Sequence, residues 1–197
     1  MPTGSRRCFG EGDALMERYH DEEWGFPCVD ERSMFELLSL ESFQSGLSWR
    51  TILGKREGFR NGFLNFEPDV VAQLGPADVN WLLTDGSIVR NRAKIEATIA
   101  NAAAVVALRR TGETLADVIH AHAPVRGRAA PSDWSEIPVS SPEATALARD
   151  LKGRGFRFLG PTTVYSFMQA CGVVNDHLAW CPTRPAAGRA RRAAGLP

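Results

Sequence analysis

The sequence has no run of about 18 consecutive apolar residues, the length that a membrane-spanning helix needs. The basic residues near its N-terminus are not followed by an apolar stretch, so no signal peptide is indicated. Cysteine is scarce, with four in 197 residues. In an intracellular protein such cysteines are thiols or metal ligands rather than disulfides. These absences argue against a membrane protein and a secreted disulfide scaffold, and they predict a cytoplasmic protein.

An excess of charge of either sign is also missing. The chain has 23 Lys and Arg against 23 Asp and Glu, so its formal net charge is zero and does not indicate a nucleic-acid-binding protein. The basic residues nevertheless include three clusters: Arg50, Lys55, Arg56 and Arg60; Arg90, Arg92 and Lys94; and Lys152, Arg154 and Arg157. Because such clusters are commonly solvated surfaces, charge alone leaves DNA binding undecided.

No segment shows the alternation of a β-strand, and no internal repeat is present. Helical spacing of apolar residues predicts an all-α single domain. The predicted helices span 31–45, 48–60 and 90–110, and shorter ones begin at Pro68, Pro76, Pro142, Pro161 and after Glu113. A loop is predicted over 123–140. The domain is expected to cover residues 1–182, and the Arg- and Ala-rich segment 183–197 is expected to be a disordered tail.

Glu41 is out of place on its predicted helix. Met34, Leu37 and Leu38 form an apolar face, and Glu41 continues that face. A carboxylate there must be paired, hydrogen-bonded or protonated. It is therefore either a structural glutamate, bonded to an arginine or a helix N-terminus, or a functional group. The turn Gly46-Leu47-Ser48-Trp49, which follows, exposes a leucine beside a tryptophan.

Three aromatic residues are candidates for a stacking pocket, namely Tyr19, Trp24 and Trp49. An isolated tryptophan is usually part of the core. A tyrosine and a tryptophan beside a buried carboxylate, however, suit a flat, hydrogen-bonding and cationic heterocycle.

Residues 82–95 are predicted to form a helix, a short hairpin and a second helix. Gly86 and Ser87 would place backbone amides near the start of the second helix, with Arg90 and Arg92 alongside. This arrangement suits a phosphate, although many helix hairpins contain Asp-Gly for purely structural reasons.

A possible metal site is divided between the two ends of the sequence. His177 and Cys181 have the spacing of zinc ligands, and Cys8 with His20 would complete a set of two thiolates and two imidazoles. If the four converge, they leave no open coordination position, which favours a structural zinc ion over a catalytic one.

Several motifs together resemble the 3-methyladenine DNA glycosylase I family over residues 7–181. They are Tyr19 to Gly25, Glu41-x2-Gln44-Ser45-Gly46-Leu47-Ser48-Trp49, Ile88-Val89-Arg90-x-Arg92, and the segment from Phe156-x-Phe158-x-Gly160 through Asn175-Asp176-His177. The resemblance implies a helix-hairpin-helix fold and removal of 3-methyladenine from alkylated double-stranded DNA, with the free base as product. It implies a zinc ion held by Cys8, His20, His177 and Cys181, and a base pocket lined by Glu41, Tyr19, Trp24 and Trp49.

This resemblance also implies a mechanism. The target nucleotide must leave the duplex, and Leu47 is the expected wedge that fills the vacated stack. Glu41, the expected catalytic residue, would accept a hydrogen bond from the exocyclic amine of the cationic base. Water would attack the sugar, because residues 97–112 contain no acid where lyases of the superfamily use an aspartate. The enzyme is expected to act as a monomer.

The sequence departs from the family at three places. Phe9 and Met16 stand where members commonly have a tryptophan and a tyrosine, which predicts a looser pocket wall. Ser87 stands where a hairpin glycine is expected. Two alternatives follow: a glycosylase that accepts a broader range of alkylpurines, or a non-enzymatic, zinc-stapled DNA-binding protein.

Overall fold

The structure is a computed structural model that describes residues 7–28 and 30–196, and every regular element in these ranges is helical. The all-α prediction is therefore confirmed. The helices are α1 (Ala14–Glu22), α2 (Glu31–Gln44), α3 (Trp49–Gly54), α4 (Arg56–Gly62), α5 (Pro68–Val71), α6 (Pro76–Leu82), α7 (Arg92–Arg110), α8 (Leu115–His120), α9 (Pro142–Gly153), α10 (Pro161–Ala170) and α11 (Arg184–Ala193). Single 3-10 turns cover Leu64–Phe66 and Trp134–Glu136. Within the described ranges no helix combines the length and apolarity that crossing a membrane requires.

The helix starts follow from local sequence. Asp30, Ser48 and Ser141 each accept a hydrogen bond from a backbone amide in the first turn of the helix that follows. Proline occupies the first turns of α5, α6, α9 and α10, where its missing amide hydrogen costs nothing. The predicted starts of these helices are confirmed.

Helix α2 lies at the centre of the molecule. Its residues 34–43 are all buried, so it has no solvent-facing side along this stretch. It packs against α3, α7, α8 and α10, and α10 in turn packs against α9. A helix surrounded in this way provides a rigid support for the polar side chains that it carries.

The predicted helix over 48–60 is wrong, because the chain turns at Lys55 and forms two helices, α3 and α4. The turn places Arg56 and Arg60 against the buried carboxylate of Glu36, which lies on α2 and accepts hydrogen bonds from both guanidinium groups. A buried, fully paired carboxylate holds α4 on α2. Arg56 and Arg60, which belong to the first basic cluster, therefore stabilise the fold.

The expected disordered tail is also wrong for most of its length, because α11 occupies Arg184–Ala193. Ala187 is fully buried, and the guanidinium group of Arg191 donates to the carbonyl oxygens of Gly172 and Val173. The Arg- and Ala-rich composition of this segment predicted disorder. Two backbone acceptors after the end of α10 instead hold Arg191 in place and thereby hold α11 against the domain.

Candidate active site and metal centre

A cleft of about 210 Å³ lies between α1, α2, α3 and α10. The structure brings together all four residues that the sequence placed in a base pocket, namely Tyr19, Trp24, Glu41 and Trp49. The other lining residues are Phe9, Met16, Gln44, Trp134, Ser166 and Gln169. A cleft of this size, half of whose lining residues are aromatic, fits a single flat ring system.

Glu41 is 5% exposed, and its Oε2 atom is buried without a hydrogen-bond partner in the described part of the chain. Burial raises the pKa of its carboxyl group to about 8. The structural alternative, in which an arginine or a helix N-terminus pairs with Glu41, therefore finds no support. An unpaired buried carboxylate at the wall of a cleft is a binding group for a donor or a cation.

The aromatic side chains enclose this carboxylate. The rings of Tyr19 and Trp49 are 5.3 Å apart, and Phe9 stands edge-on to Trp24 at 5.1 Å. The indole Nε1 of Trp49 is a second buried polar atom that lacks a partner among the described residues. The cleft thus offers one unpaired donor and one unpaired acceptor between aromatic faces.

Four lining residues were not predicted: Gln44, Trp134, Ser166 and Gln169. Ser166 and Gln169 are three positions apart on α10 and belong to a motif that carried the resemblance, so helical spacing could have found them. Trp134 lies in the predicted loop over 123–140, where no periodicity marks a residue as inward-facing.

Trp134 closes the wall that Phe9 and Met16 were expected to leave loose. Its ring lies 6.1 Å from that of Phe9 and 6.2 Å from that of Trp24, and its Nε1 donates to the carbonyl oxygen of Cys8. Phe9, Met16 and Trp134 therefore shape one side of the cleft together.

Leu47 lies at the tip of the turn between α2 and α3, and 42% of its surface is exposed. Gly46 has φ +85°, a conformation that an L-residue with a side chain adopts only with strain. The ammonium group of Lys94 donates to the carbonyl oxygens of Phe43 and Ser45, 2.8 and 2.7 Å away. Lys94 is therefore buried and supports this turn, unlike the solvated side chains that a basic cluster commonly contains.

The hairpin between α6 and α7 is fixed on α4. A Cβ atom at Gly58 would lie 2.6 Å from the carbonyl oxygen of Ser87, so only glycine permits this approach. The amide of Ser87 donates to Asp85, and Arg92 donates to Asn80. Gly86, Ser87, Arg90 and Arg92 are all exposed on this surface.

Three of the four predicted metal ligands meet at one point. Ligand atoms of Cys8, His20 and Cys181 all lie within 4.8 Å of one another, and all three residues are buried. The fourth, His177, is adjacent, with its ring centre 5.0 Å from that of His20. Its Nε2 atom is buried without a partner in the described ranges.

The neighbours of the two imidazoles suit metal ligation. His20 Nδ1 lies 2.8 Å from Asp21 Oδ1, and His177 Nδ1 lies 3.0 Å from Asn175 Oδ1. Metal-bound histidines usually donate their other ring nitrogen to such an acceptor, which directs Nε2 toward the metal. Burial, together with the charge of His20, lowers the pKa of His177 to about 4, so its ring is neutral at physiological pH. The donor set fits a zinc ion.

Comparison with known proteins gives concordant results. Residues 9–184 match the model of a family described as methyladenine glycosylase. The chain is 45% identical over 176 residues to DNA-3-methyladenine glycosylase 1 of Escherichia coli (strain K12), covering 88% of this chain and 93% of that protein.

Two solved structures are similar over most of their length. A crystal structure of 3-methyladenine DNA glycosylase I has a TM-score of 0.87 and 44% identity, over 90% of this chain and 98% of that one. A structure described as the basis of 3-methyladenine recognition by the Staphylococcus aureus enzyme has a TM-score of 0.85 and 37% identity, over 90% and 95% of the two chains.

Proposed function

Because the chain belongs to the methyladenine glycosylase family, we propose that it excises 3-methyladenine from alkylated DNA by hydrolysing the N-glycosidic bond. The product strand keeps an abasic site, and the reaction is the first step of base excision repair. The observation that carries this proposal is the buried, unpaired carboxylate of Glu41 in an aromatic cleft.

Glu41 is proposed to recognise the base and to stabilise its charge. Methylation at N3 makes the nucleotide cationic and weakens its glycosidic bond, so little acid catalysis is needed. The carboxylate accepts a hydrogen bond from the exocyclic amine of the adenine. A guanine has an oxygen at this position, which is itself an acceptor and cannot donate to the carboxylate. Stacking on Tyr19 and Trp49 adds a cation–π attraction of about 0.5–2 kcal/mol.

Ionisation of Glu41 is coupled to binding. With a pKa of about 8, the carboxyl group is largely protonated in the free protein at neutral pH. A cationic base in contact with it favours the ionised form and lowers this pKa, so binding releases a proton. The protein therefore holds the charge needed for recognition only when the lesion is present.

The base reaches the cleft only after it leaves the duplex. Leu47 is proposed as the wedge, since it is an exposed apolar side chain on a turn that Lys94 braces from below. Gly86, Ser87, Arg90 and Arg92 are proposed to contact the DNA backbone in a helix-hairpin-helix arrangement, supported by their common exposure. The protein is proposed to act on DNA as a monomer in the cytoplasm.

One zinc ion per chain is proposed as a structural component. Cys8, His20, His177 and Cys181 would hold it, and the ion would link the segment before α1 to the segment after α10. The buried, partnerless Nε2 atom of His177 supports this assignment. A site closed by four protein ligands supplies stability rather than a reactive water.

Leu47→Ala should weaken binding to a duplex that contains an abasic-site analogue about tenfold, since the wedge side chain no longer fills the gap in the stack. Binding of free 3-methyladenine, measured by calorimetry, should stay unchanged because Leu47 does not line the cleft. Equal losses in the two measurements would contradict the wedge assignment.

Incubation with methylated DNA should release free 3-methyladenine, identified by chromatography, and should leave strands that break only after alkali. Borohydride added during turnover should trap no protein–DNA adduct, because a lyase needs an amine nucleophile. None of the three lysines, Lys55, Lys94 and Lys152, lines the cleft. An adduct mapped to a lysine would overturn the proposed reaction.

The same chromatogram separates the alternatives. Release of other alkylpurines at comparable rates would identify a broader-specificity glycosylase. The side of the cleft formed by Phe9, Met16 and Trp134 would then be the feature that admits the other bases. DNA binding without release of any base would identify a non-enzymatic binding protein. The unpaired Glu41 argues against that second alternative, since backbone binding does not require a buried carboxylate.

A further inference from the structure

A second and larger depression, of about 840 Å³, lies on the other side of the Leu47 turn. Gln44 lines the base cleft, whereas the next residue, Ser45, lines this groove. No residue is shared between the two linings. The turn that carries the proposed wedge thus separates the site for an extruded base from a groove that the mechanism above does not use.

This groove is basic. Among the described residues, its lining contains Arg149, Lys152 and Arg157 and no acidic residue. All three side chains are exposed, and none of them forms a hydrogen bond or an ion pair with a described residue. The neighbouring Arg154, in contrast, is paired with Asp150 and Glu113. Three unpaired cations along an acid-free groove suit the phosphates of a nucleic-acid strand.

Phe158, on the rim of the groove, has an unfavourable backbone conformation and an exposed ring. Its φ is +61°, and 45% of its surface is exposed. A bulky residue in the left-handed region is an outlier, and such strain concentrates at functional sites. The strain persists because neighbours fix the backbone: Asn101 pairs with both the amide and the carbonyl group of Arg157, and Ser42 donates to the carbonyl oxygen of Phe158.

The same buried ammonium group supports Phe158 and the wedge turn. Lys94 Nζ lies 5.9 Å from the centre of the Phe158 ring and donates to the carbonyl oxygens of Phe43 and Ser45. Two exposed apolar side chains, Leu47 and Phe158, are therefore fixed relative to each other.

We propose that this groove binds the strand opposite the lesion. In this arrangement Phe158 packs against the base left without a partner, and Arg149, Lys152 and Arg157 contact the phosphates on either side of that base. Leu47 enters the stack from the lesion strand and Phe158 supports the opposite strand, so that both halves of the disrupted base pair are held. This inference rests on the proposed function, since it assumes a duplex from which one base has been extruded.

The first test compares a groove variant, Arg149→Ser with Lys152→Ser, with a control variant, Arg110→Ser with Arg126→Ser. Arg110 ends α7, about 27 Å along the helix from its start, and neither control residue lines the groove. Affinity for a duplex with a tetrahydrofuran abasic-site analogue is measured between 50 and 200 mM salt. The groove variant should reduce the slope of log affinity against log salt by about two, since each phosphate contact contributes about 0.9.

Neutral methylphosphonates identify the strand. When they are placed around the orphaned base in the opposite strand, the wild type and the groove variant should show the same salt slope. When they are placed in the lesion strand, the difference in slope should remain. A reversed pattern, or a slope loss that the control variant shares, would overturn the proposal. Excision of 3-methyladenine by the wild type is measured separately. Its absence would overturn the proposed function and the groove together, whereas intact excision with unchanged slopes would overturn the groove alone.

The second test uses the strain at Phe158. Phe158→Gly relieves the positive φ, so the thermal midpoint should not fall, while affinity for the analogue duplex should fall about tenfold through loss of one stacked ring. Binding to the lesion strand alone should be unchanged. A fall in the thermal midpoint with unaltered duplex affinity would show that the ring is merely structural.

Discussion

Glu41→Gln should reduce kcat/KM for 3-methyladenine excision about 100-fold, because a hydrogen bond to a charged group contributes about 1.5–3 kcal/mol and the base is cationic. The amide keeps the size of the side chain but cannot carry the negative charge. Single-turnover excision from methylated duplex DNA measures the loss. Calorimetry with free 3-methyladenine should show a parallel loss of affinity, since the interaction is made with the base itself.

The same substitution should stabilise the fold, increasingly so as the pH rises. The pKa of Glu41 is raised by burial from 4.5 to about 8. Between these values the folded protein retains a proton that the unfolded chain has lost, so wild-type stability falls with rising pH, by at most about 1.4 kcal/mol per pH unit. Glutamine has no such dependence. Chemical unfolding at pH 5 and pH 8 should show a larger advantage for the variant at pH 8.

Glu36 provides the matched control. It lies on the same helix and is equally buried, but hydrogen bonds from Arg60 and Arg56 outweigh the effect of burial and lower its pKa. Its ionised form therefore stabilises the fold at neutral pH, and this contribution is lost as the pH falls through the lowered pKa. Glu36→Gln should destabilise the protein, with little effect on the excision rate of the folded fraction. Wild-type excision rates in Glu41→Gln would show that the unpaired carboxylate is not used.

Cys181→Ser should lower the free energy of unfolding by several kcal/mol, because structural zinc sites in small peptides contribute roughly 10–16 kcal/mol in all. The thermal midpoint should fall by about 10 °C or more. Metal analysis should find one zinc ion per wild-type chain and substantially less in the variant. Titration of the wild type with a chelator should give the same destabilisation without any mutation.

Cys171→Ala is the control for this experiment. Cys171 is a buried thiol that the structure does not place in the metal cluster, so its replacement should leave the zinc content at one per chain. Freshly purified wild-type protein without zinc would contradict the metal assignment. Loss of excision in Cys181→Ser with unchanged stability would instead indicate that the metal takes part in the chemistry.

The sequence predicted those parts of the site that local patterns determine. Glu41 is predicted as a site residue because it interrupts an apolar face with a period of 3.6 residues. The starts of α2 and α3 are predicted because helix capping depends on a few neighbouring residues. His177 and Cys181 are predicted as zinc ligands from their spacing, and the bound metal stays a prediction. Each of these signals is contained within one or two helical turns of the chain.

The features that were missed depend on residues far apart in sequence. Trp134 reaches the cleft from a loop that is held by residues far away in sequence. Its Nε1 donates to the carbonyl oxygen of Cys8, and the amide of Ala179 donates to the carbonyl oxygen of Pro131. Lys94 is buried because two carbonyl oxygens at the end of α2 accept hydrogen bonds from its ammonium group. Helix α11 forms because the guanidinium group of Arg191 donates to carbonyl oxygens that follow α10. The sequence around these residues does not indicate which distant carbonyl oxygen will accept their hydrogen bonds.

The neighbouring positions of Tyr19 and His20 have a consequence for the order of events during synthesis on the ribosome. Tyr19 is a wall of the cleft, and His20 Nε2 lies 3.5 Å from Cys181 Sγ, which closes a loop of 161 residues. The residue next to Tyr19 thus contacts a residue that is synthesised 161 positions later. This contact can form only after residue 181 has left the exit tunnel. The cleft therefore gains this support only after all its lining residues have been synthesised.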